Sequence, residues 1–248
     1  MLIVLNACMQ NGGNMTRILA IDAATEGCSV ALYQDGKIEA VRSVSPQGHT
    51  RLLLPYIDDV LKKSGLRLSD LDAVACGRGP GSFTGVRISV SMAQALAFGA
   101  EKPLIGIVDL EAMALRAHKE TGSQYVVSAI DARMGEVYLG IYEISENVPK
   151  AMIPEAVTAP EKAVELIRGT LSGKKFTSVG TGFGTYPVLS ESFAGYVSPA
   201  SDNLPDAVEI AELAAGAFAD GRGEEPENVL PVYLRDNVSW KKVSEQHA

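Results

Sequence analysis

The sequence contains few of the residues that build covalent cross-links. It has only three cysteines in 248 residues, and no two of them form a C-x-x-C pair. Scattered cysteines in an odd number indicate neither a disulfide framework nor a cysteine-based zinc cluster, and they are typical of a chain kept in a reducing compartment. A cytoplasmic location is therefore expected.

Histidine pairs and nucleophile motifs are missing as well. His49, His118 and His247 are far apart, with no H-E-x-x-H or H-x-x-x-H pair. Ser82 has no G-x-S-x-G context, and no cysteine stands in a recognisable nucleophile motif. This pattern disfavours both metal-assisted and covalent hydrolysis.

The chain has no excess of positive charge and no long apolar run. Its 22 basic and 30 acidic residues give a formal net charge of −8. Phosphate neutralisation supplies most of a protein's non-specific affinity for nucleic acid, so this balance argues against a chain that grips RNA by itself. Any RNA in its biology is expected to be held by a partner. No stretch approaches the length of a membrane span, so no membrane contact is expected.

The first residues differ in character from the rest of the chain. The run MLIVLNAC is short and has no preceding basic residue, unlike a secretory leader. A breaker cluster, QNGGN, comes next, and strand-like periodicity begins after Met15. Residues 1–14 are therefore predicted to form an unstructured extension.

What the sequence does have is a regular succession of strands and helices. RILAID, CSVALYQ and KIEAVRSV, with a turn at Asp35-Gly36, predict an antiparallel meander. Two helices, Thr50 to Ser64 and Ser82 to Gly99, then alternate with the buried strands LDAVACG and PLIGIV. Strands separated by helices imply parallel pairing with right-handed crossovers, which is the α/β class.

The same pattern then begins again. IDARMGEVYLGIYE at Ile130 echoes IDAATEGCSVALYQ at Ile21, and later come a helix from Pro160, a strand FTSVG and a second glycine cluster, GTGFG. A repeated unit of this kind predicts two lobes on one plan that pack on each other. The predicted boundaries are lobe I at 15–102, lobe II at 103–225 with a helix returning towards lobe I, and a C-terminal tail at 226–248.

The glycine-rich stretch GRGPGSFTGVR lies between a buried strand and a helix. Backbone amides and the helix dipole can hold an anion at such a place. Gly79 and Gly81 would let the main chain approach a ligand closely, and Ser82 can cap the helix. The loop lacks the Gly-Lys-Ser/Thr ending of a P-loop and the order of a dinucleotide fingerprint. On pattern alone, a phosphate site and a purely structural turn are equally open.

Asp22 and Asp131 end corresponding strands of the two lobes. Each carboxylate could hold a hydrated magnesium ion, although capping a turn is the more frequent role of such an aspartate. With the glycine loop and with Gly180 and Gly182 of the second cluster, they could face one cleft between the lobes. This set is the candidate for weak binding of ATP or ADP with magnesium.

Four separate stretches carry a family resemblance. RILAIDAATEGCSVAL, GRGPGSFTGVR, AIDARMGEVY and PVYLRDNVSWKK follow one another in order between Met15 and Lys242. Together they resemble the bacterial TsaB (YeaZ) family of tRNA threonylcarbamoyladenosine biosynthesis proteins. The resemblance implies the α/β actin/Hsp70/sugar-kinase-like (ASKHA) fold, with two duplicated lobes that each contain a mixed sheet and flanking helices.

The resemblance also implies a non-catalytic role. TsaB is a degenerate relative of TsaD, which transfers the threonylcarbamoyl group to adenosine in tRNA. In TsaD-type proteins, a helix after the strand that follows the glycine-loop helix carries two metal-binding histidines. Here Asp109 and Met113 stand at those positions, and a methionine thioether is a poor ligand for hard or borderline ions. We therefore expect no metal site, no catalytic residue and no required cofactor in this chain.

What the resemblance leaves is association with partners. It implies dimerisation with a TsaD-type transferase, recruitment of a TsaE-type ATPase, a homodimer when alone, and only indirect contact with tRNA. The family associates through the first two helices of lobe I. Leu52, Leu53 and Leu54 cannot all point inward on one helix, so at least one must face outward. The predicted interface residues are Leu53, Tyr56, Ile57, Val60, Arg87, Ser91 and Ala95.

The sequence leaves two other functions open. An independent ATP-dependent enzyme of the sugar-kinase type would use Asp22 and Asp131 for magnesium or as a base, and the glycine loops for phosphate. A peptidase has no nucleophile or metal signature here and receives little weight.

Overall fold

The computed structural model describes residues 15–45, 48–194, 197–200 and 203–235. The predicted extension at 1–14 lies outside these ranges, as does the end of the predicted tail, residues 236–248.

The first sheet has five strands and begins with the predicted meander. Its spatial order is β3-β2-β1-β4-β5, with β1 antiparallel to β2, β2 antiparallel to β3, and parallel pairing from β1 through β4 to β5. The meander turns at Asp35 and Gly36, which both have positive φ. The strands are β1 (Arg17–Asp22), β2 (Gly27–Gln34), β3 (Lys37–Val44), β4 (Ala73–Gly77) and β5 (Leu104–Ile107).

Two long helices cover one face of this sheet. They are α1 (His49–Lys63) and α2 (Phe83–Ala100), and their apolar stripes join one hydrophobic core with β1, β2 and β4. As predicted, Ser82 caps α2, and its hydroxyl oxygen accepts a hydrogen bond from the Gly85 N–H at 3.4 Å.

The second sheet repeats the plan of the first. Its order is β11-β10-β6-β7-β8, again an antiparallel meander followed by two parallel strands, and β9 pairs with β7. This repetition confirms the predicted α/β fold with two duplicated lobes. The strands are β6 (Tyr125–Arg133), β7 (Glu136–Ser145), β8 (Val148–Ala151), β9 (Ala156–Thr158), β10 (Phe176–Val179) and β11 (Val197–Pro199).

The helices of the two lobes differ at one position. Lobe II has α4 (Pro160–Leu171) where lobe I has α1. After its glycine cluster, however, lobe II has only the short α5 (Gly182–Thr185) and α6 (Pro187–Glu191), where lobe I has the 18-residue α2. Within the described ranges, none of the helices combines the length and hydrophobicity that crossing a bilayer requires.

The last helix of each lobe crosses to the other lobe. α3 (Asp109–Thr121) follows β5 but packs on β6, and α7 (Ala207–Ala219) packs on β1, β2 and β4 of the first sheet. Strand β5 itself pairs with β4, so lobe I runs through Ile107. The predicted boundary between residues 102 and 103 is therefore too early, because a strand pattern does not reveal which sheet the strand joins.

An ionic cluster joins the two crossing helices. Arg116 of α3 donates to Glu209 of α7 through Nη2 at 2.7 Å and Nε at 3.0 Å. The same guanidinium donates to the carbonyl of Leu204 and lies 3.2 Å from Asp206. Glu209 and Asp206 are both buried, so the cluster depends on their charges staying paired.

We predict that Arg116→Met lowers the free energy of unfolding by about 3 kcal/mol, because it leaves two buried carboxylates short of a partner. Urea unfolding followed by circular dichroism measures this. The matched control is Lys62→Met, which removes an exposed ion pair with Asp58 and should cost less than about 0.5 kcal/mol. Equal losses in the two variants would contradict the structural role of the cluster.

Candidate functional site

A cleft of about 1280 Å³ lies between the lobes. Its walls are the start of α2, the β1–β2 turn, the β6–β7 turn and residues 232–235. Four of the predicted site residues line it, namely Gly81, Ser82, Arg87 and Asp131.

The glycine loop is shaped by packing against the β1–β2 turn. A side chain on Gly81 would collide with the carbonyl oxygen of Ala24, and one on Gly85 would collide with that of Ala23. Gly79 has a φ of +99°, which favours glycine. Close packing and backbone conformation explain these glycines without a bound ligand.

The loop also uses many of its own hydrogen-bond donors. The N–H of Gly79 donates to Asp109, and that of Ser82 donates to the Ala24 carbonyl at 2.7 Å. The N–H groups of Gly85 and Val86 both donate to Ser82. A phosphate would have to compete with these contacts, which favours the structural alternative for this loop.

The second glycine cluster, in lobe II, is also shaped by close packing against a neighbouring backbone carbonyl. Gly180 has a φ of +111°, and a side chain there would collide with the carbonyl oxygen of Ala129. Its N–H already donates to Asn203 Oδ1 at 2.9 Å. The Cβ of a residue in place of Gly182 would lie 2.9 Å from the same Ala129 oxygen.

The Asp131 carboxylate reaches the cleft but is already engaged. Oδ1 accepts hydrogen bonds from the Arg133 N–H and from the Tyr186 hydroxyl, both at 2.9 Å, and Oδ2 accepts from the Arg133 guanidinium at 3.0 Å. Arg133 also lies 3.5 Å from Glu26 of the β1–β2 turn, which ties the two turns across the cleft. Asp131 therefore serves as a structural anchor.

Asp22 does not reach the cleft. Its side chain is completely buried at the end of β1, where Oδ1 accepts from the Ala24 N–H at 3.0 Å. This is the turn-capping role, and it corrects the hypothesis that the carboxylate faces the cleft and holds magnesium there. The pattern of a strand followed by a turn could not distinguish the two outcomes.

The neighbour of Asp22 is the equally buried Asp109 at the start of α3. The two carboxyl groups lie together against Gly77 of β4, whose Cα has no space for a side chain. Asp109 Oδ2 accepts from the Gly79 N–H at 2.5 Å. Among the described residues, Asp22 Oδ2 and Asp109 Oδ1 accept from no donor, so a proton between the carboxyls supplies the missing hydrogen bond.

Burial and mutual repulsion favour one proton held by the pair of carboxyl groups. Burial, followed by the charge of Asp22, raises the pKa of Asp109 well above the usual range, and burial also raises the pKa of Asp22. Two adjacent carboxylates in a low dielectric cannot both ionise without a large electrostatic cost.

The second position of the compared histidine pair is occupied by a core residue. Met113, one turn along α3, is buried in an apolar cluster with Leu110, Val126 and Ile130. Across the described ranges, no three histidine, cysteine or acidic side chains are placed to hold a metal together.

We predict that Asp109→Asn makes stability less dependent on pH. The new amide would accept from Gly79 and donate to Asp22 without titrating. In wild type the folded state holds a proton that the unfolded state releases above the ordinary aspartate pKa of 3.8, so stability falls as pH rises towards the folded pKa. The stability of the variant relative to wild type should therefore increase as the pH is raised from 4 to 8.

The measurement is urea unfolding from pH 4 to 9. Burial raises the pKa of Glu111 to about 7, and this adds a decline of its own between pH 4.5 and 7. That decline is present in both proteins and cancels in the difference. Asp58→Asn, at an exposed position, is the control. A difference that does not grow with pH would show that the pair shares no proton.

The predicted interface residues on α1 divide into two groups. Leu53, Ile57 and Val60 are buried in the core of lobe I, which corrects the prediction that they are anchors for a partner. They form the stripe that attaches α1 to its own sheet. Tyr56 is half-buried at the edge of that core. Leu54, 53% exposed, is the outward leucine that the triplet required.

On α2, the predicted interface residues Arg87, Ser91 and Ala95 are exposed. They follow one another at four-residue spacing, and Phe98, 75% exposed, continues the row. A band of half-buried side chains that pack on the core lies along both helices: Leu52, Tyr56, Ile88, Met92 and Leu96. We call these exposed and half-buried residues of α1 and α2 the helical face. The predicted interface set did not include Leu54, Phe98 or most of the half-buried band. The helical period of α1 and α2 would have placed these residues on or beside the outward face.

Comparison with known proteins gives concordant matches. The family model described as "TsaD: tRNA N6-adenosine threonylcarbamoyltransferase" matches residues 41–239. The tRNA threonylcarbamoyladenosine biosynthesis protein TsaB of Escherichia coli is 46% identical over 92% of this chain and 98% of its own. Its counterpart in Haemophilus influenzae is 38% identical over 93% and 98% of the respective chains.

A solved structure shares the fold at comparable identity. YeaZ from Pseudomonas aeruginosa superposes with a TM-score of 0.79 and 38% identity, covering 89% of this chain and all of that one.

Proposed function

Because this chain belongs to the TsaB (YeaZ) family, we propose that it acts in tRNA threonylcarbamoyladenosine synthesis as a non-catalytic scaffold subunit. In this proposal it dimerises with a TsaD-type transferase, supports the transfer of the threonylcarbamoyl group, and lets a TsaE-type ATPase join the complex. Alone, the chain forms a homodimer through the same face. The proposed location is the cytoplasm.

One observation carries the proposal: the carboxyl groups predicted to hold magnesium are engaged internally, while the helical face is exposed. Asp22 accepts from the Ala24 N–H, and Asp131 binds Arg133 and Tyr186. The helical face, in contrast, places Leu54 and Phe98 in solvent. Exposed apolar side chains beside small residues are suited to close packing against another helix.

Charge supports indirect contact with tRNA. The net charge of −8 gives the chain little attraction for phosphate, so the tRNA is held by the other subunits. ATP or ADP with magnesium is at most bound weakly or shared with the partner, and the chain requires no cofactor of its own.

The alternative, an independent kinase-like enzyme, has less support. It needs Asp22 or Asp131 free for magnesium or for a proton transfer. The internal contacts of both carboxyl groups oppose that use.

The direct test is reconstitution with purified TsaD-type and TsaE-type proteins, ATP and tRNA, with modified adenosine as the readout. Omitting this chain should abolish most of the modification. Ala95→Arg should weaken binding of the transferase at least about tenfold, because a long charged side chain replaces a methyl group on a closely packed face.

The matched control is Ala219→Arg, an exposed alanine at the end of α7, which should bind as wild type does. The scaffold proposal is wrong if full modification proceeds without the chain. The assignment of the helical face is wrong if Ala95→Arg and Ala219→Arg bind equally well.

A further inference from the structure

Residues 229–235, which we call the strap, begin on lobe I. The Val229 side chain is buried in the lobe I core, and its carbonyl accepts from Gln94 Nε2 of α2 at 3.1 Å. The Val232 N–H donates to the Arg78 carbonyl of the glycine loop at 2.7 Å. The first half of the strap is therefore fixed to lobe I.

The strap ends on lobe II. Arg235 Nη2 donates to Glu136 Oε2 at 2.5 Å and to the Ala132 carbonyl at 3.2 Å, both at the β6–β7 turn. The Arg235 side chain is only 17% exposed. Residues 232–235 line the cleft between these two attachments, so the strap ties the lobes together along one wall of it.

Between the two attachments, the strap holds a residue of the helical face. Arg87 Nε donates to the Tyr233 hydroxyl at 2.8 Å, and the Arg87 guanidinium carbon lies 3.4 Å from the centre of the Phe83 ring. The Phe83 and Tyr233 rings are themselves 5.9 Å apart. A stacked and hydrogen-bonded arginine loses most of the rotamer freedom that an exposed arginine normally has.

This arrangement leaves part of Arg87 for a partner. Within the described residues, Nε is the Arg87 nitrogen that has a hydrogen bond, so the two terminal amino groups can meet a carboxylate on another protein. A guanidinium held in place before binding loses less freedom when the complex forms, which strengthens the complex.

We propose that Tyr233 and Arg235 are positioning residues: the strap fixes Arg87 for an acidic group of the docking partner and thereby makes docking depend on how the two lobes are arranged. This inference rests on the proposed function, since the partner is the TsaD-type transferase. It adds a structural link between the two sites, because the strap lines the cleft and also holds Arg87 of the helical face.

The test is a set of double-mutant cycles on the affinity for the purified TsaD-type protein, measured by isothermal titration calorimetry. Tyr233→Phe keeps the ring and removes the hydroxyl, and Glu136→Gln weakens the lobe II attachment away from the helical face. Each should weaken binding about three- to tenfold, the cost of ordering one side chain. In an Arg87→Ala background, neither change should weaken binding further.

Two results would overturn the proposal. One is unchanged affinity in both single variants. The other is an equal loss with and without Arg87, because that would mean that the strap acts through general stability. Glu191→Gln, an exposed carboxylate on α6, is the matched control and should bind as wild type does.

A second readout needs no partner. In the isolated chain, Arg235→Gln should speed hydrogen exchange of the Val232 amide at least about threefold, because the strap loses its lobe II attachment. Unchanged exchange would refute the tie between the lobes. If wild type does not bind the transferase, the proposed function fails, and this exchange measurement still decides whether the strap joins the lobes.

Discussion

The carboxyl groups of Asp22 and Asp109 meet in the interior, and much of the remaining structure depends on that contact. Three separate segments converge there: the end of β1, the glycine loop and the first turn of α3. The backbone N–H of Ala24 donates to Asp22, and that of Gly79 donates to Asp109. These contacts lock the glycine loop against the β1–β2 turn.

The cleft and the helical face lie on different sides of this locked loop and have different chemical character. On the cleft side, polar groups at the strand ends bond to neighbouring residues of the protein. Asp131, for example, binds Arg133 and Tyr186. On the other side, α2 extends from the locked loop as a rigid 18-residue helix, with Ser89 inside it donating to the Ile21 carbonyl. Among the described residues of lobe II, no helix of that length follows the glycine cluster, since α5 and α6 are four and five residues long. The two lobes therefore share the plan of their sheets but differ in the helix that follows the glycine cluster.

Much of the fold could be predicted because its signals are local. The Asp35-Gly36 turn, the cap at Ser82 and the repeated Ile-Asp-Ala units each depend on a few adjacent residues. The Asp22–Asp109 pair and the return of the strap to the Arg78 carbonyl join residues far apart in sequence, and no local pattern reports such contacts. The error on α1 was of another kind. Leu53, Ile57 and Val60 share one helical stripe, and a helix on a sheet buries one stripe, so their inward orientation followed from the spacing.

The proposed function has this chain work through the helical face and not through ligand chemistry in its cleft. Hydroxyl-radical footprinting with mass spectrometry, in the presence of either the TsaD-type transferase or magnesium-ATP, separates these two modes of action. We expect the transferase to protect Leu54, Met92 and Phe98 from oxidation, whereas magnesium-ATP should leave the cleft residues Tyr138 and Tyr233 as reactive as in the free chain. Strong protection of those tyrosines by magnesium-ATP, with the helical face equally reactive in all samples, would show that the proposal is wrong.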